Sequence, residues 1–533
     1  MRERILPLHE YFQRTAERFP GKEMLVYGGR RVSYCSMRRD VELLAAHLLR
    51  ADPDFVGKRA CLFMKNSPEY VTSFFGILEA GGVVVPISDR ISSRGAKVIL
   101  EDCTPTIVIL DDSVHQSISG VLGDLGFVRM IILVESGAYG SPERITGIAS
   151  SVAASNPKIC RLHEILESEK GGGGTVAAPE VPTDRVAMII YTSGTTGNPK
   201  GVMLSHSNLV CNALSIIKYL KLTPDDKAMV VLPFYYSYGT SLLTTHVIAG
   251  GTLVLENSFL YPNLVLEKMI EERVTGFSGV PSTFAILLGR SSIRKYRFPH
   301  LRYVTQAGGA MSSRHTLELM EALPGKRVYV MYGQTEASAR LSYLDPEVLP
   351  RKIGSIGKGI PGVELTVRRK DGSAATPGEV GEIVASGPNV MVGYWGSPQE
   401  TRKVLREDGL HTGDLAKTDE EGYLYIVGRR SDIIKSGAHR ISAKEIEEVI
   451  LEIPAVHEVA VVGEKDHILG ESIKACIVPE PGASCGKNEI LAYCKANLPS
   501  YKIPKHVEFL AELPRTESGK VRKHLLAASG EDA

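Results

Sequence analysis

Residues 188–209 read MIIYTSGTTGNPKGVMLSHSNL, and their centre, 192–201, sets three glycines, four hydroxyl side chains, a proline and a lysine between an apolar run and an amphipathic one. Glycine loses more conformational freedom on folding than any other residue, so a loop this rich in it calls for a function. The preceding run VAMIIY, 186–191, suits a buried strand. Beyond the loop Leu209, Val210, Ala213, Leu214 and Ile217 recur at helical spacing, with Ser205 or Ser207 as N-cap. Strand, glycine loop, helix is an order in which backbone N–H groups converge on a phosphate. Thr192 opens the loop, Ser193, Thr195 and Thr196 add hydroxyl donors, and Lys200 adds a point charge. The stretch therefore predicts a polyphosphate cradle; an ornamental surface loop is the plain alternative. No segment has the G-x-x-x-x-G-K-[ST] pattern, which disfavours an ordinary P-loop NTPase.

The rest of the chain bounds what such a loop could serve. With 533 residues it exceeds what one hydrophobic core usually organises, so two or more units are expected. Lys+Arg 62 against Asp+Glu 61 leaves a net charge of +1, which shows no field suited to nucleic acid or to a membrane surface. No apolar run reaches the length of a membrane span and the N-terminus lacks a secretion signal, so a cytoplasmic location is expected. The eight cysteines form no C-x-x-C pair, which argues against a disulfide framework and a zinc site. A second glycine pattern, GKGIPG at 357–362, satisfies G-x-G-x-x-G, but the strand-like VELTVRR follows it where a dinucleotide site needs a helix; it reads as a turn.

Strand-like and helical segments alternate over most of the length, which predicts an α/β fold. The GGGG tract at 171–174 reads as an exposed linker. From about Ser431 the pattern changes: Ile446, Val449, Ile450 and Ile453 take helical spacing, then come strand-like VHEVAVVG and SIKACIVPE, a helical NEILAYCKANL, and the segment HVEFLAEL. That suffices for a small α+β domain with its own core.

Further motifs stand in line with the loop: QAGGAM (306–311), YGQTEAS (332–338), LHTGDLAKTDEEGYLYIVGRRSDIIKSGAHRISAKEIEE (410–448) and PRTESGK (514–520). In this order and spacing the chain resembles the acyl-adenylate-forming superfamily, which includes acyl-CoA synthetases, the adenylation domains of peptide synthetases and firefly luciferase. The resemblance runs from about Leu8 to Leu526. It implies a large N-terminal domain of β-sheets with packed helices, residues 1–430, and a small α+β C-terminal lid, residues 431–533, turning about a hinge at Ser431. It further implies ATP, Mg²⁺ and coenzyme A as cofactors and a small carboxylic acid as substrate.

Residue by residue, the resemblance makes Ser193, Thr195, Thr196 and Lys200 the contacts of the β- and γ-phosphates, and Gly308, Gly309 and Ala310 the backbone beside the adenine and acyl group. Tyr332 would stack on the adenine, Thr335 would touch the α-phosphate and Glu336 would hold Mg²⁺, for which one carboxylate suffices when phosphates supply the other ligands. Asp414 and Arg429 match the pair on the ribose hydroxyls. Lys520 resembles the lysine that serves acyl-AMP formation, and Lys435 the one that a rotated lid brings in for thioester formation. Two positions depart from the pattern. Ser431 stands where relatives mostly carry Asp or Lys, and Gly437-Ala438 stands for a Gly-Gly pair near the thiol tunnel, where a methyl group would narrow the path. Arg440 is either a phosphate contact for CoA or a surface charge.

By the same resemblance the acyl pocket takes Tyr236, Tyr238, Gly239, Ser278, Gly279, Val280 and Met311. These positions supply no basic residue for a second carboxylate and no Asp for an ammonium group. The expected substrate is accordingly an aliphatic, alicyclic or aromatic monocarboxylic acid. The implied activity is an ATP-dependent acid–CoA ligase. The alternative is a stand-alone adenylation enzyme that loads the phosphopantetheine of an acyl carrier protein.

Overall fold

The computed structural model describes residues 5–111, 115–122, 125–135, 157–170, 177–193, 199–436, 439–467, 469–480, 482–483, 485–515 and 521–527. Thr195, Thr196, Gly437, Ala438, Lys520 and the GGGG tract lie outside them, as do the side chains of Ser193, Ser431 and Arg440.

Among the described residues, strands build two large sheets in the N-terminal part. One has nine strands, whose central members Lys227–Val230, Thr252–Leu255, Gly276–Gly279, Tyr303–Gln306 and Arg327–Tyr332 run parallel. The other has eight, with Arg59–Phe63, Val83–Ile87, Ile107–Asp111 and Met130–Val134 parallel at its centre. Strands such as Val83–Ile87, Ile107–Asp111 and Met130–Val134 are buried along their whole length, as expected where helices cover both faces of a parallel sheet. One apolar cluster joins Ala228, Val230 and Met331 of the first sheet to Leu62, Val84 and Met188 of the second through Leu44, Phe74, Leu209 and Leu243 of intervening helices. Burial of this layer is the main favourable contribution to folding.

Helix starts follow local chemistry. Ser67 caps Pro68–Glu79 by accepting from the Tyr70 N–H, with proline in the first helical position. Ser205 caps His206–Leu220 through the Asn208 N–H, and the Asn208 side chain accepts from the Ser205 N–H in return.

That helix corrects one expectation. The glycine loop does not run from a strand into a helix. It joins strand Val186–Ser193 to an antiparallel strand, Pro199–Ser205, with Ile190 opposite Val202 and Thr192 opposite Lys200. Val202, Met203 and Leu204 form a run suited to a strand, and the ladder along Ile189 and Ile190 satisfies its backbone groups, so the helix waits for the serine cap. The described ends of the loop, Ser193 and Pro199, lie opposite each other in the two strands, and the helix begins only after the seven-residue strand Pro199–Ser205. GKGIPG, as expected, leads through a turn into strand Glu364–Arg368.

Two smaller sheets complete the chain. In one, Gly409–Thr418 pairs antiparallel with Gly381–Ser386 and with Leu424–Arg429. The other belongs to the smaller C-terminal domain: Val456–Asp466 pairs with Gly470–Pro479, which continues to His506–Phe509 and touches Ile433–Ser436. Helices Ala443–Leu451 and Lys487–Asn497 pack Ile446, Ile450, Ile490 and Cys494 into that domain's own core. The two parts meet where the Lys444 ammonium donates to the Ile426 carbonyl at 2.8 Å and the Ser442 hydroxyl donates to the Val427 carbonyl.

Candidate active site

Three predicted residues from distant positions meet first. Tyr332 ends strand Arg327–Tyr332, and its hydroxyl donates to Asp414 Oδ2 at 2.7 Å. Asp414 lies opposite Arg429 in the antiparallel ladder, and Arg429 Nε donates to Asp414 Oδ1 at 2.9 Å. The carboxylate is 4% exposed. Burial, then the Asp414 charge, raises the Tyr332 phenol well above its ordinary range, while Asp414 holds Arg429 more firmly protonated. The tyrosine ring is thus fixed by its hydroxyl, with a buried anion beside it.

The chain then turns. Gly333 admits no side chain, because a Cβ there would sit 1.9 Å from the Ala339 carbonyl oxygen. Thr335–Ala337 form one 3₁₀ turn, and Ser338 and Ala339 follow with φ of 55° and 95°. Positive φ at two non-glycine residues persists only under outside constraint. Here Asn389 donates to the carbonyls of Ala337 and Arg340 at 3.0 and 2.7 Å, Asn212 donates to the Arg340 carbonyl at 3.0 Å, and Ser338 donates to the Asn389 carbonyl at 2.8 Å. The turn presents Thr335, whose hydroxyl lies 3.4 Å from that of Ser237, and Glu336, whose carboxylate accepts from Tyr394 at 2.9 Å.

Tyr394 also links this turn to the hairpin. Lys200 Nζ lies 5.2 Å from the centre of its ring and pairs with Glu400 at 2.6 Å. Lys200 and then Lys403 hold the Glu400 carboxyl down to about 2. Lys200, the expected phosphate contact, and Glu336, the expected Mg²⁺ ligand, thus flank one tyrosine. No group of three or more His, Cys, Asp or Glu side chains suited to a metal occurs among the described residues. A single carboxylate beside two hydroxyls fits a hard cation that arrives with phosphate oxygens and needs little from the protein.

The remaining predicted positions divide. Gly308 takes φ 85°, Gly309 accepts from Gln306 at 2.7 Å, and Ala310 is exposed, so this loop offers open backbone. Tyr236 packs on Tyr235 with ring centres 4.5 Å apart. The Tyr238 hydroxyl lies 2.8 Å from that of Thr305, which also meets Ser278 at 2.7 Å. Gly239 abuts the Pro233 carbonyl, 1.9 Å from any added Cβ, rather than forming a wall, and Gly279 faces Thr283 and Phe284. Met311 packs on the cluster of Phe277 and Phe284. Lys435 is exposed on strand Ile433–Ser436, its N–H bonded to Glu471, and none of the described contacts joins it to Thr335 or Glu336. Sequence reasoning missed Asn212, Ser237, Arg340, Asn389, Tyr394 and Glu400. Only Arg340, a lone cation between YGQTEAS and an apolar run, left a signal there.

Residues 12–395 match the AMP-binding enzyme family and residues 445–520 its C-terminal domain. This chain belongs to that family. It is 31% identical over 520 residues to an indoleacetate–CoA ligase from Aromatoleum aromaticum, covering 97% of both chains, and 33% identical over 519 residues to a feruloyl-CoA synthase from an Amycolatopsis species, covering 96% of both. The ATP-bound structure of MatB from Rhodopseudomonas palustris superposes with a TM-score of 0.84 at 28% identity, covering 98% of both chains. The family member described here is an AMP-forming acid–CoA ligase of the acyl-CoA synthetase type, using ATP, Mg²⁺ and CoA. Among the described residues no helix is long and apolar enough to cross a membrane.

Proposed function

We propose that this chain activates a carboxylic acid as acyl-AMP with release of pyrophosphate and passes the acyl group to the thiol of CoA with release of AMP. The observation that carries the site assignment is the Tyr332–Asp414–Arg429 linkage standing one turn from Thr335 and Glu336. In this reading the Tyr332 face stacks on adenine and Asp414 accepts from the ribose hydroxyls. Thr335 donates to the α-phosphate, and Lys200 with the hydroxyls of Thr192, Ser193, Thr195 and Thr196 holds the departing phosphates. Glu336 would hold Mg²⁺, which, when bound, offsets charge on the phosphates.

A carboxylate is inert to a thiol because its leaving group would be oxide. Its oxygen therefore attacks the α-phosphorus, the bond to pyrophosphate breaks, and positive groups on both sides offset the developing charge. Lys520 serves that step. The thiol then attacks the acyl carbon, loses its proton and expels AMP. Because Lys435 lies on the small domain without contact to the Thr335 turn, its part in this second step requires the domain of residues 431–533 to rotate against residues 1–430 about Ser431. Gly437, Ala438 and Arg440 line the CoA path.

The acyl body is aliphatic, alicyclic or aromatic. Its restriction to a monocarboxylic acid rested on the lack of a basic residue among the placed pocket positions, and Arg340, 4.0 Å over the Tyr238 ring, removes that ground. A cytoplasmic location belongs to the same reading, in keeping with eight free cysteines.

The test is mass spectrometry of products from purified protein, ATP, Mg²⁺ and a panel of acids, with and without CoA. AMP and acyl-CoA formed together only with CoA support the ligase reading. Acyl-AMP that accumulates irrespective of CoA overturns it in favour of a carrier-protein acceptor, with the Ala438 methyl group as the cause to examine.

A further inference from the structure

Arg340 is 3% exposed, and it forms no ion pair among the described residues. Its guanidinium lies 4.0 Å from the centre of the Tyr238 ring and also faces the neutral Tyr219 phenol, one nitrogen donates to the Ala339 carbonyl at 3.2 Å, and Nε is buried without a hydrogen-bond partner. A lysine so placed could shed its proton, but an arginine cannot, so the charge stays. Burying an unpaired charge is costly, and aromatic faces offset only part of it. The other buried Lys or Arg among the described residues, Lys474, has Glu508 at 2.8 Å.

The surroundings are unpaired in the same sense. Asn212 and Asn389 both give their amide N–H to the Arg340 carbonyl, and the side-chain oxygen of each is buried without a partner. Asn212 also lines a cavity of about 10 Å³, with Ser237, Ser338 and the apolar Ile190, Leu204 and Leu209 among its walls; Arg340 is not part of that lining. Space of that size holds about one water. Ser237 ties this cavity to Thr335, and Tyr238 belongs to the expected acyl wall. The Arg340 charge therefore lies against a residue of the expected acyl wall, on the segment of chain that follows the Thr335 turn.

We propose that Arg340 recognises a second carboxylate at the far end of the acyl substrate, so that the acid activated is a dicarboxylic acid joined to CoA at one end. This inference rests on the ligase reading above and deepens it. The ion pair gives the guanidinium the counter-charge that the protein withholds, and the methyl-ended acid of equal length leaves it unpaired. Discrimination then comes from the penalty on the wrong substrate as much as from attraction to the right one.

The experiment compares matched pairs, adipate with hexanoate, suberate with octanoate and terephthalate with 4-methylbenzoate, by pyrophosphate exchange and by acyl-CoA formation. In at least one pair the diacid should exceed its partner in kcat/KM by about 10- to 100-fold, the range of a charge-assisted hydrogen bond. Arg340→Met should collapse that ratio, and Arg340→Lys should keep part of it. If methyl-ended acids win in every pair of the unaltered protein, or if Arg340→Met lowers both members equally, the inference is overturned while ligation of monocarboxylates stands. If diacids are adenylated with the expected ratio but never reach CoA, the inference stands and the choice of acceptor falls. If neither series supports exchange, both fall.

Discussion

Replacing Asp414 by alanine tests the nucleotide half of the site. The carboxylate already accepts from Tyr332 at 2.7 Å and from Arg429 at 2.9 Å. A carboxylate offers about four acceptor positions, so about two remain, which matches the two hydroxyls of a ribose. Each hydrogen bond to a charged group contributes about 1.5–3 kcal/mol, so removing one hydroxyl from ATP should cost about 10- to 150-fold in kcat/KM. The assay is pyrophosphate exchange with ATP and with 3′-deoxy-ATP, in the unaltered protein and in Asp414→Ala. Alanine leaves the buried Tyr332 hydroxyl unpaired and should lower stability by about 1–3 kcal/mol, which a melting curve reads separately. The ratio between the two nucleotides is taken on folded enzyme and is insensitive to that loss. It should fall to within about threefold of unity in the variant if each hydroxyl acts through this carboxylate. A ratio unchanged by Asp414→Ala, or near unity in the unaltered protein, would refute the ribose assignment.

Three further outcomes are expected. Glu400→Gln frees Lys200 from its 2.6 Å ion pair and should lower KM for ATP by about 1.4- to 5-fold, the range of an exposed pair; a rise would show that Glu400 positions the lysine for phosphate instead. Ser431→Pro should spare pyrophosphate exchange and suppress thioester formation, whereas Lys520→Ala should depress exchange by about 10²–10³-fold; equal loss of both steps in Ser431→Pro would place the hinge elsewhere. Glu79, buried and accepting from the Gln13 amide, is pushed up to about 7 by burial from 4.5. The folded state then holds a proton that the unfolded state has lost, so this group's contribution is full below pH 4.5 and declines as pH rises through 7. Glu79→Gln should remove that decline from melting temperatures measured between pH 5 and 8, and parallel curves for the two proteins would contradict the burial argument.

Much of the fold was legible in local pattern. The strand at 186–191, the helix with its Ser205 cap, the turn at GKGIPG and the two helices and first two long strands of the small domain all follow from short-range rules of period, capping and turn chemistry. The misreading of the glycine loop shows where those rules stop. Pro199–Ser205 is a strand because Val186–Ser193 lies beside it to receive its hydrogen bonds, and a partner is a property of the fold, not of the segment. The site divides in the same way. The family resemblance carried by the motifs named Lys200, Tyr332, Thr335, Glu336, Asp414 and Arg429, each with a functional group suited to the role it implies on a phosphate, a base, a cation or a diol. Tyr394 and Asn389 act through contacts with residues 58 and 52 positions away, and no pattern of neighbours encodes such a separation.

By itself, then, the sequence determined the chemistry class: an adenylate-forming ligase of two unequal α/β parts, because reactive side chains in long ordered motifs keep their meaning without coordinates. Only the tertiary structure decided what surrounds them. It placed an antiparallel strand where a helix start was expected, set Lys200 and Glu336 on either side of Tyr394, and left the Arg340 charge buried against Tyr238 with no carboxylate beside it among the described residues. Pairing and burial of charge depend on distances between segments far apart in the chain, and those distances exist only once the core has packed.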